Sequence, residues 1–198
     1  MKFDLQAELR RKLAHFLGLS WVIVSYYVSI TQTILLLGIF LIVVLVHAAF
    51  HKYLVKIPLL GHLAGFLHSL SRHEERQAKI YYGAVYFFGS LIAVLYATQS
   101  LPIFRGAAVV LIIGDAFSAI IGKAFGKTEL PYNPFKSLEG SIAGFVAASI
   151  ATVFVLPIPL AIFAALIGMF IESIPWDLND NLTIPLGVGF FLWILTAL

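Results

Sequence analysis

The sequence contains no cysteine among its 198 residues, and charged side chains are also scarce. Without cysteine the chain can form no disulfide, no thiolate metal site and no cysteine nucleophile. Only 12% of the residues are charged and 61% are hydrophobic, whereas a soluble domain has about 25% charged and about 45–50% apolar residues. A chain of this length leaves roughly a third of its surface exposed. So much apolar surface cannot all be buried in one core, and lipid is the expected solvent.

The basic residues lie beside apolar segments. The net charge of +3 alone would be compatible with nucleic-acid binding, but Lys and Arg that flank apolar segments set the topology of membrane proteins. We therefore expect a lipid bilayer as the partner and no nucleic acid. No small-residue cleavage site follows the mixed-charge N-terminus, and apolar sequence simply continues, which predicts a retained first helix and not a signal peptide.

Long uncharged intervals predict about seven transmembrane helices, because one span needs about 20 apolar residues. Thr31-Gln32-Thr33 and the pair Pro157 and Pro159 divide two of these intervals. The predicted helices cover roughly residues 13–30, 33–50, 80–97, 104–124, 138–156, 159–173 and 183–198. The predicted fold class is all-α, a polytopic membrane helix bundle that forms a single domain over residues 1–198.

Charged and uncharged connections alternate along the chain. The connections at 31–33, 98–103 and 157–159 carry no charge, whereas the N-terminus and the connections at 51–79, 125–137 and 174–182 carry most of it. Lys and Arg mark the cytoplasmic side, so we expect a multi-pass protein with a cytoplasmic N-terminus; Arg105 alone falls on the opposite face. The 51–79 segment is partly amphipathic, and its pattern fits an interfacial helix or a solvated loop equally well.

A carboxylate, Asp115, lies inside the fourth predicted helix. An acidic residue within a membrane helix is costly and indicates function by default. Helical geometry puts Asp115 on one face with Ala119, Gly122 and Gly126, within about 40° of each other. Packing by small residues would explain the glycines but not the carboxylate. The pattern predicts a carboxylate that holds a cation or polar ligand, with Lys123 and Lys127 placed for phosphate.

A second motif, Asn133-Pro134-Phe135-Lys136-Ser137-Leu138-Glu139-Gly140-Ser141, turns from a loop into a helix. Ser137 is the predicted N-cap. A helix N-terminus favours anions, and Lys136 adds a positive charge for phosphate. Glu139 is either functional or part of a simple cap. Gly140, like Gly144 and Ala148, is expected to pack against another helix.

Two further segments carry ionisable groups. The segment from Glu172 to Pro185 holds three carboxylates and two amides within ten residues, including Asp180 and Asn181. Such oxygen ligands suit Mg²⁺, although a polar turn with a helix cap would look the same. Near the N-terminus, Arg10-Arg11-Lys12 is fully explained as a topology anchor, and His15 follows Arg11 by one helical turn.

Basic residues, carboxylates and an apolar bundle are thus predicted to meet at one membrane face. This combination indicates a phosphorylated, water-soluble ligand bound with a divalent metal, and a second substrate from the lipid phase. Phosphoryl or nucleotidyl transfer to a lipid head group fits it. A small transporter or channel could also contain an intramembrane carboxylate, but transport predicts polar groups at mid-membrane and on the far side.

These motifs resemble those of the dolichol kinase and phytol kinase family. The resemblance is carried by Gly114-Asp115 with Ala119, Gly122 and Gly126, by Lys136 to Ser141, and by Glu172 with Asp180 to Pro185; Arg11, Lys12, His15, Gly18 and the Arg72, Glu75, Arg76 stretch also look like family features. It implies an enzyme, a CTP-dependent and Mg²⁺-requiring kinase of a membrane lipid alcohol of polyprenol, dolichol or phytol type, with its active site on the cytoplasmic side.

The resemblance also suggests roles for individual residues. It implies catalytic roles for Asp115, Glu139 and Asp180, with Glu139 or Asp180 as the general base, and metal binding by Asp115, Glu172 and Asp180. The expected nucleotide- and phosphate-binding residues are Gly114, Ala119, Gly122, Lys123, Gly126, Lys136, Ser137, Gly140 and Asn181. The alternative within the wider cytidylyltransferase-like group is a phosphatidate cytidylyltransferase, whose glycine-rich Pro-Gly-His-Gly-Gly segment and following Asp-Arg are not present in this sequence.

Overall fold

The computed structural model of the chain describes residues 12, 15–54 and 82–197. These residues form seven helices and one small hairpin. The helices are α1 (Leu19–Val24), α2 (Ile30–Leu54), α3 (Tyr82–Thr98), α4 (Leu101–Phe125), α5 (Leu138–Thr152), α6 (Ile158–Ser173) and α7 (Asp180–Ala197), and the strands are β1 (Glu129–Leu130) and β2 (Asn133–Ser137). Most of the 51–79 segment, for which an interfacial helix and a solvated loop were equally expected, lies outside the described residues, as do Arg11 and Glu75.

The predicted all-α class is confirmed, because helices account for most of the described residues. Three of these helices are long and apolar enough to cross a membrane, at Ile30–Phe50, Leu101–Phe125 and Asp180–Ala197, and three shorter apolar helices accompany them. The chain is therefore a membrane protein. The number of helices that cross the bilayer stays a prediction.

Three helices begin three residues earlier than predicted. Each start follows a polar residue whose side chain accepts a hydrogen bond from a backbone amide of the first turn. Ser29 Oγ accepts from Gln32 N at 3.3 Å, Ser100 Oγ from Ile103 N at 3.5 Å, and Asn179 Oδ1 from Asn181 N at 3.0 Å. At α2 the bond is reciprocal, since Ser29 N donates to Gln32 Oε1 at 2.9 Å, which makes a capping box.

Helix α4 is the central helix of the bundle. Half of the residues in its 18-residue apolar segment are buried within the protein, compared with 17% for α2 and 28% for α7. It packs against α5, α6 and α7, while α3 packs against α2 and α7. A π-helical turn at Val110–Gly114 interrupts α4 directly before Asp115. Such turns are rare and often lie at functional sites.

Helices α4 and α5 approach each other at glycines. A Cβ atom added at Gly140 would lie 2.7 Å from Ser118 O and 2.8 Å from Gly122 Cα, closer than real side chains come. The predicted packing role of Gly140, Gly144 and Ala148 agrees with their burial in α5. This close crossing brings the start of α5 beside the last turns of α4.

Residues 125–137, predicted as a connection, contain the two-stranded antiparallel hairpin. Glu129 pairs with Ser137 and Leu130 with Asn133, and the register shifts between the two pairs. The hairpin lies at the same end of the bundle as the last turns of α4 and α6 and the first turn of α7, because it connects α4 to α5 and contacts α6 through Asn133.

Arg105 lies towards the opposite end of the bundle, in the first half of α4. Its Nε donates to Ser25 Oγ at 2.8 Å, and Nη2 donates to Ser25 O at 2.6 Å. The guanidinium also stacks over the Tyr26 ring, 3.6 Å from its centroid. This residue, the one charge predicted on the far face, therefore joins α4 to the turn that precedes α2.

Candidate functional site

A pocket of about 390 Å³ lies at the end of the bundle where α4, α7, the hairpin and Lys12 meet. Its lining is dominated by ionisable and small side chains. The lining residues are Lys12, Asp115, Ser118, Ala119, Gly122, Lys123, Gly126, Lys127, Glu129, Pro134, Phe135, Lys136, Ser137 and Asp180. Four of them are lysines and three are acidic residues, so the pocket lining carries both positive and negative charge at the end of an apolar bundle.

Lys136 connects the hairpin to two carboxylates. Its Nζ makes a short ion pair with Glu172 Oε1 and lies 3.7 Å from Asp180 Oδ2. Ser118 Oγ donates a 2.9 Å hydrogen bond to the same Glu172 oxygen. The Glu172 side chain is fully buried, whereas 26% of the Lys136 side chain is exposed. The lysine therefore reaches from the pocket to a carboxylate that lies behind it.

The charge state of Lys136 follows from these neighbours. Burial by itself lowers the pKa of its ammonium, but the negative charges of Glu172 and then Asp180 outweigh burial and raise the pKa above its ordinary value. The ammonium stays charged throughout the physiological pH range. It can therefore neutralise carboxylates or phosphates in the pocket.

Asp115 forms a second ion pair within the pocket. Lys12 Nζ donates to Asp115 Oδ2 at 2.5 Å, and both side chains are almost fully buried. His15 Nε2 lies 3.8 Å from the same oxygen. The interior carboxylate predicted from the sequence is thus paired with the N-terminal segment, 103 residues away.

The hairpin is fixed to the end of α6 by side chains. Asn133 is buried; its Nδ2 donates to Ser173 O at 2.9 Å, and its Oδ1 accepts from Phe135 N at 3.1 Å. Tyr132 Oη and Ser173 Oγ are also hydrogen-bonded, at 2.9 Å. These bonds hold the backbone that precedes Lys136, so the lysine is presented from a rigid support.

The start of α5 is capped as predicted. Ser137 Oγ accepts from Gly140 N at 3.1 Å, and Leu138 N donates to Thr128 O at 2.8 Å. Two amides of the first turn therefore already have partners. Any anion in the pocket would depend on Lys136 and the other lysines more than on the helix N-terminus.

Most of the residues predicted for the site come together. Asp115, Ala119, Gly122 and Gly126 line the pocket from one face of α4, as the helical spacing indicated. The remaining predicted residues that line it, or lie directly behind it, are Lys123, Lys136, Ser137, Asp180 and Glu172. Their roles in binding and catalysis stay predictions.

Two predicted glycines pack within the bundle and do not line the pocket. A Cβ atom at Gly114 would lie 2.5 Å from Met169 Cε, which indicates helix packing against α6. Gly140 lies against the α4 backbone. The close approach of neighbouring helices is sufficient to explain why both positions are glycine.

Glu139 and Asn181 also lie outside the pocket lining. Glu139 Oε1 accepts from Thr128 N at 3.1 Å and from Thr128 Oγ1 at 3.0 Å, so it stabilises the turn before the hairpin. Asn181 Nδ2 donates to Gly83 O at 2.8 Å, and Asn181 O accepts from Ser90 Oγ at 2.7 Å. These bonds join α7 to α3.

The acidic residues fit a metal ion that is bound together with phosphate. No group of three or more His, Asp and Glu among residues 12, 15–54 and 82–197 could hold a metal by itself. Mg²⁺ needs only one or two carboxylates when substrate phosphates and waters complete its shell. Glu172 Oε2 is buried and has no hydrogen-bond partner within the described part of the chain. Such an oxygen favours a cation, and Asp180 lies across Lys136 from it.

Lys12 and Ser118 are site residues that sequence reasoning missed. The sequence explains Lys12 as a topology anchor, and the family resemblance includes it without assigning it a role; the motif around Asp115 gives Ser118 no role. A signal for Ser118 was available, because it follows Asp115 by three residues and therefore lies near the same helix face. The partner of Lys12 could not be read from a single sequence.

Comparison with known proteins identifies the family of this chain. A family model described as the cytidylyltransferase family matches residues 4–195. A chloroplastic farnesol kinase of Arabidopsis thaliana is 33% identical over 165 residues, which cover 71% of this chain and 53% of the relative. A phytol kinase of Synechocystis sp. is 26% identical over 203 residues, which cover 94% of this chain and 79% of the relative. A probable phytol kinase 3 of Glycine max is 31% identical, with 57% and 39% covered.

The chain spans about half the length of the first curated relatives that it matches. No solved structure matches it. The resemblance drawn from the motifs is confirmed, since several relatives are named as phytol or farnesol kinases. Because the family model covers nearly the whole sequence, the chain belongs to the cytidylyltransferase family.

Proposed function

We propose that this protein is a CTP-dependent kinase that transfers the γ-phosphoryl group to the hydroxyl of an isoprenoid-type membrane alcohol. The observation that carries the proposal is the pocket in which four lysines face Asp115, Asp180 and the buried Glu172 at one end of an apolar bundle. The relatives named farnesol kinase and phytol kinase support an isoprenoid alcohol as the acceptor.

The lysines supply the positive charge that a triphosphate needs. Lys123 comes from the last turn of α4 and Lys127 from the segment directly after this helix, whereas Lys136 comes from β2. Phosphoryl transfer depends mainly on positioning and on stabilising charge on the transferred group. Ammonium groups from separate elements can contact different phosphates of one nucleotide, which fixes the chain of phosphates in the pocket.

Glu172 and Asp180 are the residues that would hold Mg²⁺. When bound, this ion would neutralise phosphate oxygens and polarise the transferred group. Asp115 is a further possible ligand, although Lys12 occupies one of its oxygens. Lys136, between Glu172 and Asp180, keeps the two carboxylates close together before a metal–nucleotide complex enters.

Asp180 is the proposed general base. It lines the pocket at the start of α7 and is partly exposed, whereas Glu139 lies outside the lining and bonds to Thr128. In the reaction the alcohol oxygen forms a bond to the γ-phosphorus and the bond from that phosphorus to the β-phosphate oxygen breaks. CDP leaves, and the proton of the hydroxyl passes to Asp180, which must lie within hydrogen-bond reach of it.

The same arrangement supports a multi-pass topology with the pocket on the cytoplasmic side. Of the charged connections predicted to be cytoplasmic, those at 125–137 and 174–182 contribute lining residues to the pocket, and exposed aromatic side chains accompany them. These are Phe125, Tyr132, Phe135 and Trp176. Aromatic residues are typical of the membrane–water interface. A soluble nucleotide and a membrane alcohol could meet there.

Labelled nucleotide tests the proposed reaction. Purified protein is incubated with Mg²⁺, with either an isoprenoid alcohol or phosphatidate as acceptor, and with CTP labelled at either the α- or the γ-phosphate; labelled ATP is tested in parallel. A kinase transfers only the γ-label to the lipid. A lipid that acquires the α-label, with phosphatidate as acceptor, would instead show cytidylyl transfer, the second reaction that the family description favours. If neither label appears in the lipid fraction, both the kinase reaction and the cytidylyl transfer are contradicted.

Asp180→Asn tests the assignment of the base. Removing a general base typically lowers kcat by about 10²–10⁴, and the KM for CTP should rise as well, because Asp180 would also hold the Mg²⁺ that binds the phosphates. Asp177→Asn is the matched control, because Asp177 is an exposed acidic residue of the same connection that does not line the pocket. Equal kcat values for the two variants would remove Asp180 from the mechanism.

A further inference from the structure

Lys12 is buried in a way that a topology anchor is not. Only 4% of the residue is exposed, although it lines the pocket together with Lys123, Lys127 and Lys136. A lysine that anchors a membrane protein is expected among water and lipid head groups. A buried ammonium needs a negatively charged or polar partner, and Lys12 finds one in Asp115 at 2.5 Å.

The ammonium of Lys12 has more donors than this partner uses. Lysine carries three N–H donors, and one hydrogen bond of Lys12, the bond to Asp115, is seen among the described residues. Two donors therefore remain beside the space that the lining lysines enclose. An anion that enters the pocket can accept from them without breaking the bond to Asp115.

Lys12 and Lys136 are held at the pocket in the same way, because each is paired with a buried carboxylate. Lys136 reaches Glu172 and Asp180 from the hairpin, and Lys12 reaches Asp115 from the N-terminal segment. In each case a carboxylate holds a lysine that also lines the pocket. If Lys136 binds phosphate, the same arrangement at Asp115 assigns the same chemistry to Lys12.

We propose that Lys12 is a phosphate-binding residue, and that Asp115 holds its ammonium in the position in which its other donors can bind phosphate oxygens. This inference rests on the proposed function, because it needs a polyphosphate in the pocket. It makes the N-terminal segment part of the substrate site as well as a determinant of topology. Lys12 then contacts the substrate directly, and Asp115 is the positioning residue for it.

A double-mutant cycle on binding alone tests the inference. Affinity for CTP and for inorganic tripolyphosphate, which has no base or sugar, is measured without lipid alcohol for the wild type, Lys12→Met, Asp115→Asn and the double variant. A hydrogen bond to a charged group contributes about 1.5–3 kcal/mol, so Lys12→Met should weaken both ligands by about 10- to 150-fold. In the Asp115→Asn background the same substitution should still weaken both by at least about tenfold.

The second background separates phosphate binding from simple neutralisation. If Lys12 only cancels the charge of Asp115, Lys12→Met exposes phosphate to an unpaired carboxylate and weakens binding, but it has no effect once Asp115 is Asn. The double variant carries no unpaired buried charge, so its thermal stability shows whether the measured protein is folded. Arg105→Gln is the control, because it removes one positive charge at the opposite end of the bundle and should leave both affinities unchanged.

The outcomes distinguish this inference from the proposed function. A wild type that binds neither CTP nor tripolyphosphate overturns both. A wild type that binds both ligands, combined with a double variant that binds them as Asp115→Asn does, overturns only the role of Lys12. A tenfold or larger loss between Asp115→Asn and the double variant, with Arg105→Gln at wild-type affinity, supports it.

Discussion

Removing Lys136 should destabilise the protein more than removing the charge of its partner Glu172. The Glu172 side chain is fully buried, so Lys136→Met leaves a buried carboxylate without its counter-ion. Breaking a buried pair in this way costs about 3–5 kcal/mol, and the 26% exposure of the Lys136 side chain favours the lower end, about 3 kcal/mol.

Glu172→Gln should cost less, about 1 kcal/mol, the order of one ordinary hydrogen bond. The amide oxygen of glutamine can still accept from Ser118 Oγ, and the ammonium that remains is partly exposed and lies 3.7 Å from Asp180. The double variant Lys136→Met with Glu172→Gln removes both charges, so it should recover most of the 3 kcal/mol estimated above for Lys136→Met alone.

The free energy of unfolding is measured from the loss of helicity in mixed micelles of dodecyl maltoside with increasing SDS. Lys127→Met is the matched control, because Lys127 lines the same pocket but is exposed, and exposed substitutions usually change stability by less than about 0.5 kcal/mol. Equal losses for Lys136→Met and Glu172→Gln, or a double variant as unstable as Lys136→Met, would refute the reasoning.

Three further predictions concern the bundle. Gly140→Ala should lower the unfolding free energy by about 1–3 kcal/mol, because the added Cβ would clash with the α4 backbone. Gly89→Ala is the control and should be neutral or slightly stabilising, because there is open space around Gly89. Equal effects of the two variants in the same SDS titration would contradict the close approach of α4 and α5. Arg105→Lys should lose about 1–2 kcal/mol, since lysine cannot reproduce the paired bonds to Ser25, and the KM for CTP should not change. Ser29→Ala should cost about 1 kcal/mol through loss of the capping box, and an unchanged unfolding curve would argue against it.

Hydropathy and charge were enough to locate most of the helices, because a span of this length must be apolar whatever its partners are. The first predicted helix is the exception: the range 13–30 contains the six-residue helix α1, Leu19–Val24, with turns at residues 17–18 and 25–27. The starts of α2, α4 and α7 were each placed three residues too late, because the predicted ranges ignored the caps at Ser29, Ser100 and Asn179. The Ser29-Ile30-Thr31-Gln32 pattern is a recognisable capping box, so this part of the error was avoidable. The hairpin at 129–137 could not be predicted, because its strands are too short to show the alternation of polar and apolar residues that is typical of a strand.

The helix-face argument found much of the site, because residues on one face of α4 keep their spacing whatever surrounds the helix. It could not separate glycines that line a pocket from those that pack helices, and Gly114 and Gly140 proved to be of the second kind. It also could not identify partners distant in sequence. The pairs Lys12–Asp115 and Ser118–Glu172 join residues 103 and 54 positions apart, and only the packing of the helices brings them together.

The π-helical turn at Val110–Gly114 divides α4 into two halves with different rotational phase. A π turn takes up one residue more than an α turn, so the helix after it is rotated by about 100° relative to an uninterrupted α-helix. The half before the turn is buried on almost every side, while the half after it directs Asp115 and small residues into the pocket. The direction of the Asp115 side chain therefore depends on the number of residues in the π-helical turn before it. Evolution can alter the side chains of either half separately, but a one-residue deletion in the turn would redirect the whole ligand-facing half at once.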